Sequence, residues 1–190
     1  MDERIAIENV ETLSADWGVL KKMTFAYRRG DGRWERQTRE TYDRGNGATI
    51  LLYNKARRTV VLTRQFRLPA YVNGHPGDLI EACAGLLDAD DAEGCIVRET
   101  EEETGYRIAA PTRIFEAFMS PGSVTERLAF FVAAYEPGAR ATAGGGVAGE
   151  DIEVLELPLD EALAMVDSGE IADGKTIMLL QYAKLHRLVE

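Results

Sequence analysis

The chain has 190 residues, of which 45% are hydrophobic and 28% charged, so it can bury the core of one compact domain. Its net charge of −10 argues against broad binding to nucleic acid or anionic membranes, because both are polyanions. No apolar run approaches the roughly 20 residues of a membrane span, and residues 1–10 lack a signal-peptide core. These features predict a cytoplasmic protein with no nucleic-acid or membrane partner. Cys83 and Cys95 lack metal-ligand spacing and are expected to be buried free thiols.

The first half of the chain is predicted to be rich in strands. Residues 17–27 and 34–42 alternate apolar and polar side chains around a turn at 29–32, which indicates a β-hairpin. Because an isolated hairpin is marginally stable, this one is expected to be covered by another sheet or by a second subunit. Further strands are predicted at 48–53, 60–66, 79–82, 113–119 and 128–135.

The pattern then becomes helical. A helix is predicted near 92–104, and a Gly-rich loop is followed by a strand at 153–156 and by helices near 159–167 and 175–188. Mixed strands with flanking helices predict an α/β fold, a three-layer α/β/α sandwich with a mixed sheet and an N-terminal β-hairpin extension. We expect the extension, a dimerisation segment, to span 1–45 and the main domain to span 46–190.

Four glutamates in five residues are the most informative feature of the chain. On a helix, Glu99, Glu102 and Glu103 share one face, because residues three and four apart are neighbours, whereas Glu101 points elsewhere. The preceding turn of that face is apolar, so the three acids are expected to look inward. Like charges at this spacing cost about 0.2–0.5 kcal/mol per pair, which favours a hard divalent cation such as Mg²⁺ as a ligand. A solvated acidic helix surface is the alternative.

The residues around these acids resemble the Nudix box: Gly, five residues, Glu, seven residues, then Arg-Glu-apolar-x-Glu-Glu-x-Gly-apolar. The second half of the box matches at Arg98, Glu99, Glu102, Glu103, Gly105 and Tyr106. The chain departs from the consensus in three places. Gly85 lies one residue too close to the helix, and Thr100 replaces an apolar residue. The first glutamate is replaced by Asp90 or Asp91, which with Asp88 also offer an N-cap to the helix.

Outside the box, the chain resembles the nucleotide-sugar branch of the Nudix family, and most closely its members that hydrolyse GDP-mannose. The matching stretches are 40–54, 64–67, 72–74, 84–88, 119–122, 143–147 and 150–158. This branch shares the shortened spacing after Gly85. The resemblance implies a Nudix pyrophosphatase that cleaves GDP-mannose to GMP and mannose 1-phosphate. The alternatives are ADP-ribose hydrolysis to AMP and ribose 5-phosphate, and a regulator that binds a nucleotide sugar without cleaving it. Such regulators typically lose the box acids, which this chain keeps.

The resemblance also implies a metal site and catalytic acids. The metal, Mg²⁺ or alternatively Mn²⁺, would be held by Ala84 through its carbonyl and by Glu99, Glu103 and Glu150. Glu150 and Glu102 would be the catalytic residues, with Asp151 and Glu153 as competitors of Glu150. The Gly-rich segment 143–149 could be a plain linker, but its position before Glu150 suggests a mobile loop that carries an acid over the cleft.

Substrate contacts are a further implication of the resemblance. They would come from Trp17, Arg39, Glu40, Arg67, Ala84, Gly85, Leu86, Glu103, Glu126, Glu150 and Lys175. Arginine suits a diphosphate because it binds phosphate through two parallel hydrogen bonds, and Arg67 is favoured over Arg64 for this role. Trp17 offers an aromatic face to a base. Arg39 would reach the nucleotide held by the partner subunit of a homodimer with shared sites. Ordinary structural roles are the alternatives for each of these residues.

Overall fold

The computed structural model describes residues 4–87, 91–147 and 149–190. Asp88 and Asp90, which the sequence offered as helix caps, lie outside the described residues. The chain separates into two compact units. One contains the residues up to Asn46 together with Phe118–Arg127, and the other contains Gly47–Ala117 and Leu128–Glu190. Among the described residues, no helix is both long and apolar enough to cross a membrane.

The N-terminal unit is built on a three-stranded antiparallel sheet. Its strands are β1 (Ile5–Ala15), β2 (Val19–Arg28) and β3 (Trp34–Asp43), in the order β1-β2-β3. The hairpin expected from the sequence is present as β2 and β3. β1 was not predicted from the sequence, because register shifts between Ile7 and Asn9 and between Thr12 and Ser14 interrupt its apolar alternation. The third strand supplies the support that a lone hairpin needs.

A second, seven-stranded sheet forms the larger unit. Its strands are β4 (Gly47–Asn54), β5 (Thr59–Gln65), β6 (Leu79–Glu81), β7 (Ala84–Leu86), β8 (Thr112–Phe118), β9 (Arg127–Ala134) and β10 (Glu153–Pro158). The main order is β10-β5-β4-β9-β8, with β6 paired to β5 and β7 paired to β4. The β4–β9 pair is parallel, whereas β4–β5 and β5–β10 are antiparallel, so the sheet is mixed as predicted.

The helices of this unit are α1 (Leu68–Val72), α2 (Ala92–Thr104), α3 (Leu159–Ser168) and α4 (Gly174–Leu185). The bounds of α2 agree with the sequence prediction. The Asp91 side chain accepts a hydrogen bond from Gly94 N–H at 2.7 Å, which satisfies a free donor of the first turn. Gly105 ends the helix with a left-handed φ of 76°. The last helix ends at Leu185, three residues earlier than the predicted 188.

Helices cover both faces of the mixed sheet. Phe131 of β9 is buried in one apolar cluster with Ile96 of α2. Its neighbour Phe130 points to the opposite face, because successive side chains of a strand alternate. There it contacts Phe115, with the ring centres 4.5 Å apart, and Phe115 in turn contacts Tyr182 of α4. The predicted α/β/α sandwich is therefore confirmed, and each fully buried large side chain contributes about 1.5–3 kcal/mol to it.

Candidate active site

Two acids of α2, Glu99 and Glu103, lie on the helix face that packs against the sheet. Glu103 is only 5% exposed and Glu99 is partly buried. Glu101 points away and bonds Arg107 at the surface, at 2.8 Å. Helical spacing alone therefore places Glu99 and Glu103 on the inward face, as expected.

Burial and mutual repulsion raise the pKa of both inward acids. Burial raises the pKa of Glu103 to about 7, the Cys83 thiol opposes the rise by hydrogen bonding, and the charge of Glu99 adds to it. Burial also raises the pKa of Glu99, with Glu102 as the next cause and Arg98 opposing. Among the described buried side chains, the Glu103 Oε2 atom has no hydrogen-bond partner. A cation would satisfy that atom and relieve the repulsion, so the donor set fits a hard metal ion.

Glycine at position 85 makes room for one of these acids. Ala84 and Gly85 belong to β7, which pairs with β4 at Thr49 and Ala48. A Cβ atom at position 85 would lie 2.4 Å from the Glu99 side chain, so a larger residue would displace the carboxylate. The next residue, Leu86, is tied to α2 because its carbonyl accepts a hydrogen bond from the Cys95 thiol at 3.2 Å. Cys83 and Cys95 are both buried free thiols, as predicted.

The Gly-rich loop is docked on the C-terminal end of α2. Gly145 N–H donates to Glu103 O at 2.9 Å, and Gly146 N–H donates to Glu102 O at 3.1 Å. The last carbonyls of a helix lack partners within it, so the loop supplies them. Gly144 has φ +70°, and a Cβ atom there would lie 2.4 Å from Glu103 O. The segment interpreted from sequence as a mobile loop is thus anchored at 144–146.

Glu150 lies close enough to α2 to act on its acids. Its charge contributes to the raised pKa of both Glu99 and Glu103. Its Oε2 atom accepts a hydrogen bond from Val147 N–H in its own loop, at 2.9 Å. Its competitor Glu153 is bound to Arg64 at 2.6 Å. Among the described residues, no group of three or more Asp, Glu, His or Cys side chains is arranged closely enough to hold a metal ion. Glu99, Glu103 and Glu150 are therefore close enough to interact electrostatically but do not form a complete metal-coordination site.

Two predicted substrate-binding cations share one buried carboxylate. Arg67 Nε lies 2.7 Å from Glu81 Oε2, and Lys175 Nζ lies 2.6 Å from Glu81 Oε1 and 3.0 Å from Asp173. The Arg67 charge also acts to lower the pKa of Glu103, which places the guanidinium near the acids of α2. Glu81 was not predicted as a site residue. Its only signal was a lone acid inside an apolar strand.

The remaining predicted substrate contacts belong to the N-terminal unit. Arg39 and Glu40 line a cavity of about 650 Å³ whose other walls are largely apolar. Trp17 lies in the bend between β1 and β2, with 82% of its surface exposed, and does not line this cavity. Glu126 lies outside it too, 3.8 Å from Arg44. The structure thus brings Arg39 and Glu40 together but not Trp17 or Glu126.

Comparison with known proteins adds two family matches and a set of relatives. Residues 4–42 match the model described as the GDP-mannose pyrophosphatase NudK N-terminal domain, and residues 43–180 match the NUDIX domain. A GDP-mannose pyrophosphatase of Pectobacterium atrosepticum is 57% identical over 184 residues, covering 96% of this chain and 95% of the relative. The Citrobacter koseri protein of the same name is 53% identical over the full length of both chains. That of Yersinia pestis is 57% identical over 185 residues, covering 96% and 93%.

These matches agree with the acids found on α2. The Nudix model covers most of the chain, and the relatives are more than half identical along nearly its whole length. Proteins of this family generally use a divalent metal such as Mg²⁺. The chain therefore belongs to the Nudix family, as a pyrophosphatase that hydrolyses phosphoric anhydride bonds.

Proposed function

We propose that the chain hydrolyses the diphosphate of a nucleotide sugar, GDP-mannose foremost, to give GMP and mannose 1-phosphate. The observation that carries this proposal is the inward face of α2, where Glu103 is buried with an unpartnered oxygen beside Glu99. Such a face fits a cation that in turn attracts phosphate oxygens. The choice of GDP-mannose is supported by the names of the relatives and by the N-terminal match.

The proposed metal is Mg²⁺, with Mn²⁺ as the alternative. Its ligands would be the Ala84 carbonyl and the carboxylates of Glu99, Glu103 and Glu150. When bound, such ions neutralise charge on a diphosphate and make a water molecule more acidic. The protein's part is to hold these carboxylates together against their repulsion, through the packing of α2, the space at Gly85 and the docked loop before Glu150.

The protein's own residues divide the remaining work. Glu150 and Glu102 are the proposed catalytic residues. The Glu150 carboxylate would accept a proton from the attacking water, and Glu102 would orient the site or help to bind metal. On the larger unit, the groups proposed to bind the phosphates are the side chains of Arg67 and Lys175 and the backbone of Gly85 and Leu86. The contacts proposed for the N-terminal unit are Trp17, Arg39, Glu40 and Glu126. A positively charged side chain stabilises the negative charge that develops on the phosphate during an in-line displacement. It lowers the activation barrier of hydrolysis without forming a covalent bond.

A homodimer is part of the proposal. Strand β1 lies at the edge of its sheet and exposes Ile5, Ile7, Val10 and Leu13, each by 42–53% of its surface. An exposed edge strand with a row of apolar side chains is a template for association. The occupant we propose is a second copy of the chain, with sites shared between the subunits. The location proposed for this dimer is the cytoplasm.

A substrate panel tests the proposal. Purified chain is incubated with Mg²⁺ and, separately, with GDP-mannose, ADP-ribose, GDP and GTP, and the products are separated by anion-exchange chromatography. We expect GMP and mannose 1-phosphate as the fastest-forming products. Faster release of AMP from ADP-ribose would instead assign the chain to ADP-ribose hydrolysis. Binding of a nucleotide sugar with no product from any member of the panel would contradict the proposed hydrolysis.

A further inference from the structure

Glu81 is a buried acid with both oxygens engaged by cations. It ends strand β6, and its side chain is only 5% exposed. Oε1 accepts a hydrogen bond from Lys175 Nζ at 2.6 Å, and Oε2 accepts one from Arg67 Nε at 2.7 Å. A buried carboxylate is costly unless it is paired and hydrogen-bonded. Here each oxygen makes a short charge-assisted bond, which is the strong kind.

The two cations reach Glu81 from different elements. Arg67 is the residue immediately before α1, and Lys175 lies in the first turn of α4. The start of α4 is fixed again next to Glu81, because Thr176 Oγ1 accepts a hydrogen bond from Ala82 N–H at 2.6 Å and donates one to Asp173 at 2.6 Å. The Glu81 carboxylate therefore links the start of α1 and the start of α4 to the end of β6.

Arg67 can hold Glu81 and still serve a phosphate. Its bond to Glu81 uses Nε, and the terminal nitrogens of a guanidinium carry four further N–H donors. Its side chain is 40% exposed, and its charge acts on Glu103 of the acid face. Lys175 is 12% exposed and also contacts Asp173. Fixing the Nε edge of Arg67 restricts the direction in which its other edge points.

We infer that Glu81 is a positioning residue, which holds Arg67 and Lys175 in place for the diphosphate of the substrate. The inference rests on the proposed function, since that proposal makes these cations phosphate-binding groups. The competing role is stability alone. Buried ion clusters are weak evidence for stability, because apolar residues of similar volume often replace them without loss. Apolar residues could not orient a phosphate-binding arginine, whereas the Glu81 carboxylate can do so through its hydrogen bond to Arg67.

The test is a double-mutant cycle with steady-state kinetics on GDP-mannose. Glu81→Gln keeps the shape but removes the charge that holds two cations. We expect it to lower kcat/KM at least about tenfold in the wild-type background and by a clearly smaller factor in an Arg67→Ala background, where only Lys175 still depends on Glu81, because coupled residues are not additive. A loss of the same size in both backgrounds would overturn the inference.

A second readout separates positioning from folding. Calorimetric binding of GDP-mannose in EDTA, where no turnover occurs, is expected to weaken at least about tenfold in Glu81→Gln. A matched control is Glu156→Gln, which removes a partly buried acid that bonds Arg57 at 2.9 Å and has no proposed role in binding or catalysis. This control is expected to lower Tm while leaving kcat/KM and GDP-mannose binding unchanged. A Glu81→Gln chain with lowered Tm but unchanged binding and kinetics would show a purely structural role and contradict the inference.

A shorter side chain covers the case in which Glu81→Gln does not fold. Glu81→Asp keeps the charge but cannot reach both cations, so it is expected to fold and to show the same Arg67-dependent loss of kcat/KM. The failures remain distinguishable. A wild-type chain that hydrolyses no nucleotide sugar overturns the proposed function and this inference together. An active wild type with Glu81→Asp at wild-type kcat/KM overturns the inference alone.

Discussion

Glu103 combines burial, a raised pKa and an oxygen without a hydrogen-bond partner. The rise of its pKa from 4.5 to about 7 corresponds to an unfavourable free energy of about 3 kcal/mol for the charged form, at about 1.4 kcal/mol per pKa unit. A buried carboxylate that is charged without a partner lowers the stability of the folded protein. A bound cation would remove that cost by pairing with the charge. Perturbed acids of this kind cluster at functional sites.

The first residue-scale prediction concerns the inward acids. Glu99→Gln and Glu103→Gln keep the side-chain shape and remove a proposed metal-binding charge, so each is expected to lower kcat below about a tenth of the wild-type value, or more than about 1.4 kcal/mol in the barrier. Steady-state kinetics at saturating Mg²⁺ measure this loss. The control is Glu101→Gln on the outer face of α2, which is expected to retain full activity. Equal kcat values for all three variants would contradict the assignment.

Helical spacing explains why these acids could be found from sequence. Glu99 and Glu103 are four residues apart, and this spacing alone places them on one face of a helix. The role inferred for Glu81 could not be found in this way. Its partners Arg67 and Lys175 are brought to it by the tertiary fold, from positions 14 residues before and 94 residues after it in the chain. Local sequence patterns do not predict contacts between residues so far apart in the chain.

At the scale of elements, α2 and the Gly-rich loop form one structure. The loop gives hydrogen bonds to the carbonyls of Glu102 and Glu103, and it leads directly to Glu150. The distance from the acids of α2 to Glu150 therefore depends on how closely the loop can approach the helix end. Glycine at 144 permits that approach, since its Cα faces Glu103 O with no room for a side chain.

The element-scale prediction is made for Gly144. Gly144→Ala puts a Cβ atom against Glu103 O and also strains a positive φ, so it is expected to lower both kcat and Tm. The matched control is Gly149→Ala, which has a positive φ of +101° but no atom of the described residues within 4 Å of the added Cβ. It bears only the backbone strain, about 1–2 kcal/mol. Thermal melts and kinetics of the two variants are compared. A kcat of Gly144→Ala equal to that of Gly149→Ala would contradict the positioning of Glu150 by this packing.

Some helices and strands were predicted from the sequence with correct bounds, and others were not predicted at all. α2 was predicted with correct bounds because Asp91 and Gly105 mark its ends, through a side-chain cap and a left-handed residue. β1 was not predicted because its register shifts between Ile7 and Asn9 and between Thr12 and Ser14 interrupt the two-residue period of its apolar side chains. β7 was missed because a strand of three residues, Ala84–Leu86, is too short to show a period.

At the scale of the whole molecule, the N-terminal unit carries candidate substrate contacts together with exposed apolar side chains. Arg39 and Glu40 line its cavity, and β1 exposes a row of aliphatic residues at the edge of the sheet. A second copy of the chain would bury that row. Most soluble homo-oligomers are symmetric dimers, in which a residue contributed by one subunit is contributed by the other as well.

Complementation between two inactive chains tests the shared site. An Arg39→Ala chain and a Glu103→Gln chain are purified separately, mixed, and exchanged by dilution and reconcentration. One of the two sites in a mixed dimer then combines an intact N-terminal unit with intact acids, so random exchange is expected to restore about a quarter of wild-type activity. The control is each variant exchanged with itself, which is expected to stay inactive. No recovery in an exchanged mixture would show that each site is built within one chain.

Isotope labelling shows which bond of GDP-mannose is cleaved by water. GDP-mannose is hydrolysed by the wild-type chain in ¹⁸O-labelled water with Mg²⁺, and the products are analysed by ³¹P NMR and mass spectrometry. Attack on the diphosphate predicts one ¹⁸O atom on phosphorus in either GMP or mannose 1-phosphate, with no label on the sugar carbon. Release of GDP with the label on the anomeric carbon of mannose would show glycoside cleavage and contradict the account.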